Sequence, residues 1–172
     1  VTVAAALLYA CEVTGKSIGS IRIVINGAGA AAISSAIMLL EMGVAQEQIT
    51  MLDSKGVVST RRTDLNEMKS RFATDSDMTT LSQAIAGADA FIGLSKGDLL
   101  SESDVKSMQP SPIIFALANP VPEVSYNRAK QWRPDAVVAT GRSDSPNQIN
   151  NVLSFPYLFR GALDTLSTTI NE

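Results

Sequence analysis

The chain has 172 residues, 45% of them hydrophobic and 18% charged, with a net charge of −3. That length suits a single domain with a full core, and the slight acidity excludes the basic footprint that nucleic-acid binding needs. There is no histidine and one cysteine, which excludes an internal disulfide and removes the commonest general base and metal ligand.

Val1 to Thr14 reads as a buried Ala/Leu-rich helix, with Gly15 as its C′ residue and Lys16 near its negative end. Cys11 lies in this apolar pattern and reads as a small buried hydrophobe of a reduced, cytoplasmic protein. The run Val1 to Tyr9 has no basic leader or cleavage pattern and is not a signal peptide. No apolar stretch reaches the roughly 18 residues of a membrane span. The chain starts without Met inside an apolar helical segment, so we expect a piece of a longer protein.

A first strand is predicted over 21–26, running into Gly27-Ala28-Gly29-Ala30-Ala31-Ala32. This Gly-x-Gly-x-x-Ala turn between a β-branched run and an apolar helix has the form of a dinucleotide-binding βα turn. Gly27 allows the tight turn, Gly29 lets backbone approach a pyrophosphate, and Ala32 lets the helix pack closely on the strand. The helix start directs free N–H groups and its positive dipole end at the phosphates. The competing explanation is a Gly/Ala-rich turn with no ligand. The helix is predicted over 30–42 and stops at Gly43. A second strand over 49–52 ends at Asp53, 26 residues past Gly27, which suits a carboxylate bonding the adenosine ribose.

Residues 54–63 read as a polar, basic loop. Asp64-Leu65-Asn66-Glu67 has capping-box spacing with Asp64 as cap, opening a helix through Phe72. A short helix over 81–86 ends at Gly87, and a third strand comes next over 88–93. Ser101-Glu102-Ser103-Asp104 opens a short helix through Met108, with Glu102 and Asp104 compensating its dipole. A strand over 112–117, a helix over 125–132, a strand over 136–141 and a closing helix over 155–170 complete the chain. Short, continuous apolar strands alternating with helices indicate one α/β domain. The expected fold is a doubly wound, mainly parallel Rossmann-like sheet with helices on both faces.

In such sheets ligands gather beyond the carboxyl ends of the strands. The segments there are the glycine turn, Asp53-Ser54-Lys55-Gly56, Leu94-Ser95-Lys96-Gly97, Ala118-Asn119-Pro120 and the run from Gly141 to Asn151. Together they predict a long polar groove. Asn119 suits a nicotinamide ribose or a small hydroxy acid, because an amide donates and accepts at once; a turn-capping role competes. For Asn150-Asn151 the alternative is a helix N-cap. Lys55, Arg61 and Arg62 could meet a 2′-phosphate or form a solvated surface. Lys96 reads as a surface residue, and Trp132 as packing.

Several strings carry a resemblance to a known family. The segments Phe91 to Gly97, Phe115 to Glu123, Ala139 to Asp144 and Pro146 to Ala162 resemble the bacterial malic enzymes, in the family's order and across essentially the whole chain. The resemblance implies an NAD(P)-binding domain over 1–172. It belongs to a longer enzyme that converts (S)-malate to pyruvate and CO₂ with Mg²⁺ or Mn²⁺ and hydride transfer to the nicotinamide. It implies cofactor contacts from Gly27 to Ala32 and from Asp53, Ser54, Lys55, Ser95 and Asn119, and malate contacts from Asn119 and Asn150. It also implies a homodimer or higher homo-oligomer for the intact enzyme, with malate, pyruvate or oxaloacetate as ligands.

The family's catalytic Tyr, its Lys base and its acidic metal ligands belong to upstream segments, and Tyr9, Tyr126 and Tyr157 do not match its tyrosine motif. No catalytic residue or metal ligand is therefore expected in this chain, which should bind cofactor and not turn over malate alone. Asp53 repels a 2′-phosphate and favours NAD, while Lys55, Arg61 and Arg62 could compensate and admit NADP; NAD is the first expectation. Competing readings are an oxaloacetate decarboxylase of the same family, another two-domain dehydrogenase, and a non-catalytic dinucleotide sensor.

Overall fold

A computed structural model describes residues 1–170. Six strands form one sheet: β1 (Ile23–Asn26), β2 (Ile49–Asp53), β3 (Gly56–Val57), β4 (Ala90–Gly93), β5 (Ile113–Ala116) and β6 (Val137–Thr140). Their spatial order is β3-β2-β1-β4-β5-β6. All pairs are parallel except β2–β3. The helices are α1 (Thr2–Thr14), α2 (Ala30–Glu41), α3 (Glu67–Ser70), α4 (Leu81–Ile85), α5 (Glu102–Lys106), α6 (Tyr126–Trp132) and α7 (Phe155–Asp164).

The strands read as unbroken apolar runs because both faces of the sheet are covered. Ile23, Ile25, Met51, Ile92, Ile113 and Phe115 pack on one face with Leu7 and Cys11 of α1 and Ala36 and Leu39 of α2. Val24, Leu52, Phe91, Ile114 and Val138 pack on the other with Ala84 and Ile85 of α4, Val105 of α5 and Ala129 of α6. Gly15 ends α1 in the left-handed region at φ 67°, as the sequence suggests. Lys16 does more than face the helix end: it pairs with Asp89 at 2.7 Å, and Asp89 also accepts the Arg22 N–H.

Three local expectations are corrected. The 54–63 segment is not wholly loop, since Gly56–Val57 forms β3 against Leu52 and Asp53. Asp64 does not cap α3; Asn66 does, accepting the Lys69 N–H at 2.9 Å, while Asp64 is taken up by ion pairs. The last helix ends at Asp164 and not near Ile170. Leu166, just beyond, has φ +51°, which cannot continue a right-handed helix.

Chain order reverses about β1: β2 lies on one side of it and β4 on the other. The crevice outside the carboxyl ends of β1 and β4 is thus the switch point at which ligands bind in such sheets. Among the described residues no helix is long and apolar enough to cross a membrane.

Candidate cofactor and substrate groove

The glycine turn sits at that switch point. Gly27 has φ +137°, and a Cβ there would lie 2.7 Å from the Leu94 carbonyl oxygen. Its N–H donates to the Leu52 carbonyl at 2.8 Å, which ties the turn to β2. Both backbone angle and space therefore require glycine here. Gly29 differs. Its φ is −87°, open to any residue, and a Cβ would meet nothing within 4 Å. The fold makes no demand for glycine at 29, and its position leaves open space for a group approaching the turn. Gly29 precedes α2 without a side-chain cap, leaving the first-turn N–H groups to an anion. Ala28 is half-buried, Ala30 and Ala31 are exposed, and Ala32 is buried against the core. The residues present fit a dinucleotide pyrophosphate.

Asp53 ends β2, as the ribose reading requires, but its carboxylate is already engaged. Oδ1 accepts from Arg62 Nη1 at 2.8 Å and from the Lys55 N–H at 2.9 Å. Oδ2 accepts from Arg62 Nη2 at 3.0 Å and from Lys69 Nζ at 2.7 Å. The Asp53 side chain is only 8% exposed. The Arg62 guanidinium, followed by Lys69 and the Lys55 N–H, outweighs desolvation and holds the carboxyl well below the usual carboxylate range. Arg62 also grips Asp64, through Nε at 2.9 Å and Nη2 at 3.0 Å, and Lys55 pairs with Asp64 at 2.6 Å. Three cations thus face two carboxylates, and the cluster is positive by one charge. Arg61 turns away to Asp75 and Asp77. Ser54 is exposed beside the cluster. Lys69 went unnoticed in the sequence because it lies 16 residues past Asp53; its signal is its place in the first turn of the helix that Asn66 caps.

The other end of the groove gathers around β4, β5 and β6. Asn26 Nδ2 donates to Ser95 Oγ at 2.8 Å. The Ser95 N–H donates to Glu123 Oε1 at 3.3 Å, and the Ala118 N–H to Glu123 Oε2 at 3.1 Å. Glu123 is wholly buried, and burial pushes its carboxyl above the ordinary range. A Cβ on Gly93 would lie 2.2 Å from the Glu123 carboxyl carbon, so the glycine makes room for the acid. Sequence reasoning missed Glu123 as an independent feature, because a Glu after Pro122 reads as loop. Its carboxylate ties the loop after β4 to the loop after β5.

Asn119 comes after β5, is exposed, and donates from Nδ2 to the Leu117 carbonyl at 3.2 Å. Its peptide bond to Pro120 is cis. Asn150 donates from Nδ2 to the Gly141 carbonyl at 3.1 Å, and its Oδ1 accepts the Val152 N–H at 3.0 Å. Asn150 therefore serves as the cap of the one-turn helix Asn151–Leu153 as well as lining the groove. A Cβ on Gly141 would come within 3.0 Å of Asn119 Nδ2. Gly141 is thus where the two asparagines converge. They share a cavity of about 570 Å³ with Val1, Thr2, Leu94 and Leu117. Lys96 is exposed, and Trp132 is half-buried beneath the Arg128 guanidinium at 5.0 Å. Among the described residues no group of three or more His, Cys, Asp or Glu is placed to hold a metal ion.

A family model described as malic enzyme, NAD binding domain, matches residues 1–172. The NADP-dependent malic enzyme of Halomonas elongata is 50% identical over 172 residues, covering 100% of this chain and 41% of that protein. The NAD-dependent malic enzyme of Rhizobium meliloti is 46% identical over 173 residues, covering 100% of this chain and 22% of that protein. The crystal structure of the NAD-dependent malic enzyme from Thermotoga maritima superimposes with a TM-score of 0.86 at 40% identity, covering 95% of this chain and 44% of that one. The chain thus spans less than half the length of the relatives it matches.

Proposed function

This chain belongs to the malic enzyme family as its NAD-binding domain, and we propose that it is one domain of a longer enzyme that oxidatively decarboxylates malate. The observation that carries this reading is the convergence of Asn119 and Asn150 at Gly141, in a cavity that Ala31, just past the glycine turn, also lines. A dinucleotide lying from the turn towards these amides brings its nicotinamide beside the one place where both can bond a hydroxy acid. When bound, the nicotinamide accepts the hydride. The chain's own residues bind and orient. Gly29 admits the pyrophosphate. Leu94 and Leu117 line the cavity with apolar surface, and Asn119 and Asn150 present donors and acceptors to malate. In this reading the ligands of Mg²⁺ or Mn²⁺, the general base and the general acid are supplied from outside this domain.

The state of Asp53 shifts the cofactor reading. A bare acid at this position repels a 2′-phosphate, but Arg62 and Lys69 neutralise this one and leave the cluster net positive. The proposal is therefore NADP as preferred cofactor, with Arg62, Lys69 and Lys55 near the 2′-phosphate and Asp53 holding them in place. The reading extends to a homo-oligomer in the cytoplasm, a compartment that the buried free thiol of Cys11 fits. Titrating the full-length enzyme with NADPH and NADH, by nicotinamide fluorescence, and assaying malate oxidation with each cofactor tests it. Tighter NADPH binding and malate turnover support the reading; binding with oxaloacetate decarboxylation alone, or with no turnover, replaces it by the decarboxylase or the sensor.

A further inference from the structure

Two peptide groups of the groove make contacts on both edges. The Leu94–Ser95 peptide turns its carbonyl oxygen to Gly27, where a Cβ would lie 2.7 Å away, and its N–H to Glu123 Oε1 at 3.3 Å. The Leu117–Ala118 peptide accepts Asn119 Nδ2 on its carbonyl at 3.2 Å and donates its N–H to Glu123 Oε2 at 3.1 Å. A peptide group is planar and rigid, so holding the N–H also orients the carbonyl on the opposite edge. Leu94, Leu117 and Asn119 all line the groove cavity. Main-chain bonds already dock the two loops on each other. The Asp98 N–H donates to the Pro122 carbonyl at 3.0 Å, and the Leu99 and Leu100 N–H groups donate to the Glu123 carbonyl at 3.0 and 3.1 Å. Those bonds hold residues 98–100 and leave the Ser95 and Ala118 N–H groups to the carboxylate.

We infer that Glu123 is a positioning residue: with one carboxylate it sets the Leu94–Ser95 peptide over the glycine turn and the Leu117–Ala118 peptide that holds the Asn119 amide. The inference rests on the malic enzyme reading, in which Asn119 meets malate and Ser95 the nicotinamide half of the cofactor. Glu123 is wholly buried, and the donors it meets are neutral backbone groups. A carboxylate buried in this way is costly to a fold, and an apolar side chain of its size would fill the same space more cheaply. The fold nevertheless clears room for it, since a Cβ on Gly93 would lie 2.2 Å from its carboxyl carbon. Loop docking does not explain the acid, because the main chain supplies that. What the carboxylate adds is two acceptor oxygens at a fixed spacing, one for each peptide. A second bond draws the glycine turn into the same unit: Asn26, the residue before Gly27, donates from Nδ2 to Ser95 Oγ at 2.8 Å. Glu123 touches neither cofactor nor substrate and acts through Ser95 and Asn119.

The test is Glu123→Gln in the full-length enzyme, which replaces one acceptor oxygen by an NH₂ that faces a backbone N–H. Three quantities are compared with the parent: affinity for ADP, affinity for whichever of NADPH and NADH the parent binds tighter, and the KM for malate at saturating cofactor. ADP carries only the half of the cofactor that lies away from β4 and β5, so its affinity reports an intact domain. The expected result is ADP affinity within about twofold, dinucleotide affinity lower by at least about fivefold, and a malate KM higher by at least about tenfold. Dinucleotide affinity or malate KM staying within about twofold overturns the inference. So does ADP affinity that falls in step with the dinucleotide, which makes the acid structural. If the Gln variant does not bind ADP, Glu123→Met fills the space without a buried charge and is read by the same three quantities. Loss of ADP binding in both variants also overturns the inference. If the parent does not turn over malate, the activity reading fails, and the split between ADP and dinucleotide affinity decides the positioning by itself.

Discussion

Arg62 meets Asp53 with both terminal nitrogens, Nη1 to Oδ1 at 2.8 Å and Nη2 to Oδ2 at 3.0 Å. Paired this way, the acid is less a bare negative wall for the adenosine ribose than the seat of a guanidinium. Lys69 completes it at 2.7 Å. A ribose diol must compete with four donors for this carboxylate, whereas a phosphate meets cations already held in position.

Replacing Arg62 by Ala should therefore separate the two cofactors. NADPH affinity is expected to fall by about tenfold to a hundredfold, the worth of one or two charge-assisted hydrogen bonds, with NADH affinity changing far less. Lys69→Ala should act in the same direction and more weakly, as a point charge. Fluorescence titration of each variant with both nucleotides decides it, and equal losses for both would give Arg62 a purely structural role.

The two glycines of the turn should behave differently. Gly27→Ala puts a Cβ 2.7 Å from the Leu94 carbonyl at φ +137°, a strain of about 1–3 kcal/mol or more that lowers the melting temperature. Gly29→Ala meets nothing within 4 Å. Stability should stay within about 0.5 kcal/mol of the parent or rise slightly, since alanine restricts the unfolded chain, while nucleotide affinity drops by about tenfold or more. Thermal melts and titrations on both variants form one experiment.

Asn119 and Asn150 should also part company. Asn150 caps the Val152 N–H, so its replacement by Ala costs about 1 kcal/mol of stability in addition to any effect on malate. Asn119 bonds only the carbonyl two residues back, and its replacement should leave the melting temperature nearly unchanged. In the full-length enzyme both variants should raise the KM for malate, measured at saturating cofactor.

Glu123 gives a pH signature. Burial raises its carboxyl in the folded protein above the unfolded value of about 4.3. A raised folded value means that stability from this group is complete below the unfolded value and is lost as pH rises through the folded one. The parent should lose stability over that window, and Glu123→Gln should lose less. Denaturant unfolding at a series of pH values measures the difference.

Much of this was legible in the residues. Unbroken runs such as Ile23–Asn26 and Ile113–Ala116 indicate strands buried on both faces, and the structure covers both faces. Ser101 and Ser125 mark the starts of their helices because a hydroxyl accepts a first-turn N–H. The capping rule failed where side-chain ion pairs won. Asp64 has the spacing of a cap, but Arg62 and Lys55 claim its carboxylate, and Asn66 takes over the cap. β3 was hidden because two residues within a polar stretch carry no periodicity. Glu123 was hidden because its donors are backbone N–H groups, Ser95 in the loop after β4 and Ala118 in its own loop, and backbone donors leave no mark on local sequence.

β3 has a further consequence. Two residues of antiparallel pairing turn the chain back on β2, with Gly56 at φ +107° and the Val57 N–H on the Thr79 carbonyl at 3.1 Å. That reversal fixes how far Arg62 lies from Asp53. One inserted residue in an extended segment shifts the downstream chain by about 3.3 Å, more than a hydrogen bond tolerates. On the proposed reading, a change in the length of this connection alters nucleotide preference with every charged side chain kept.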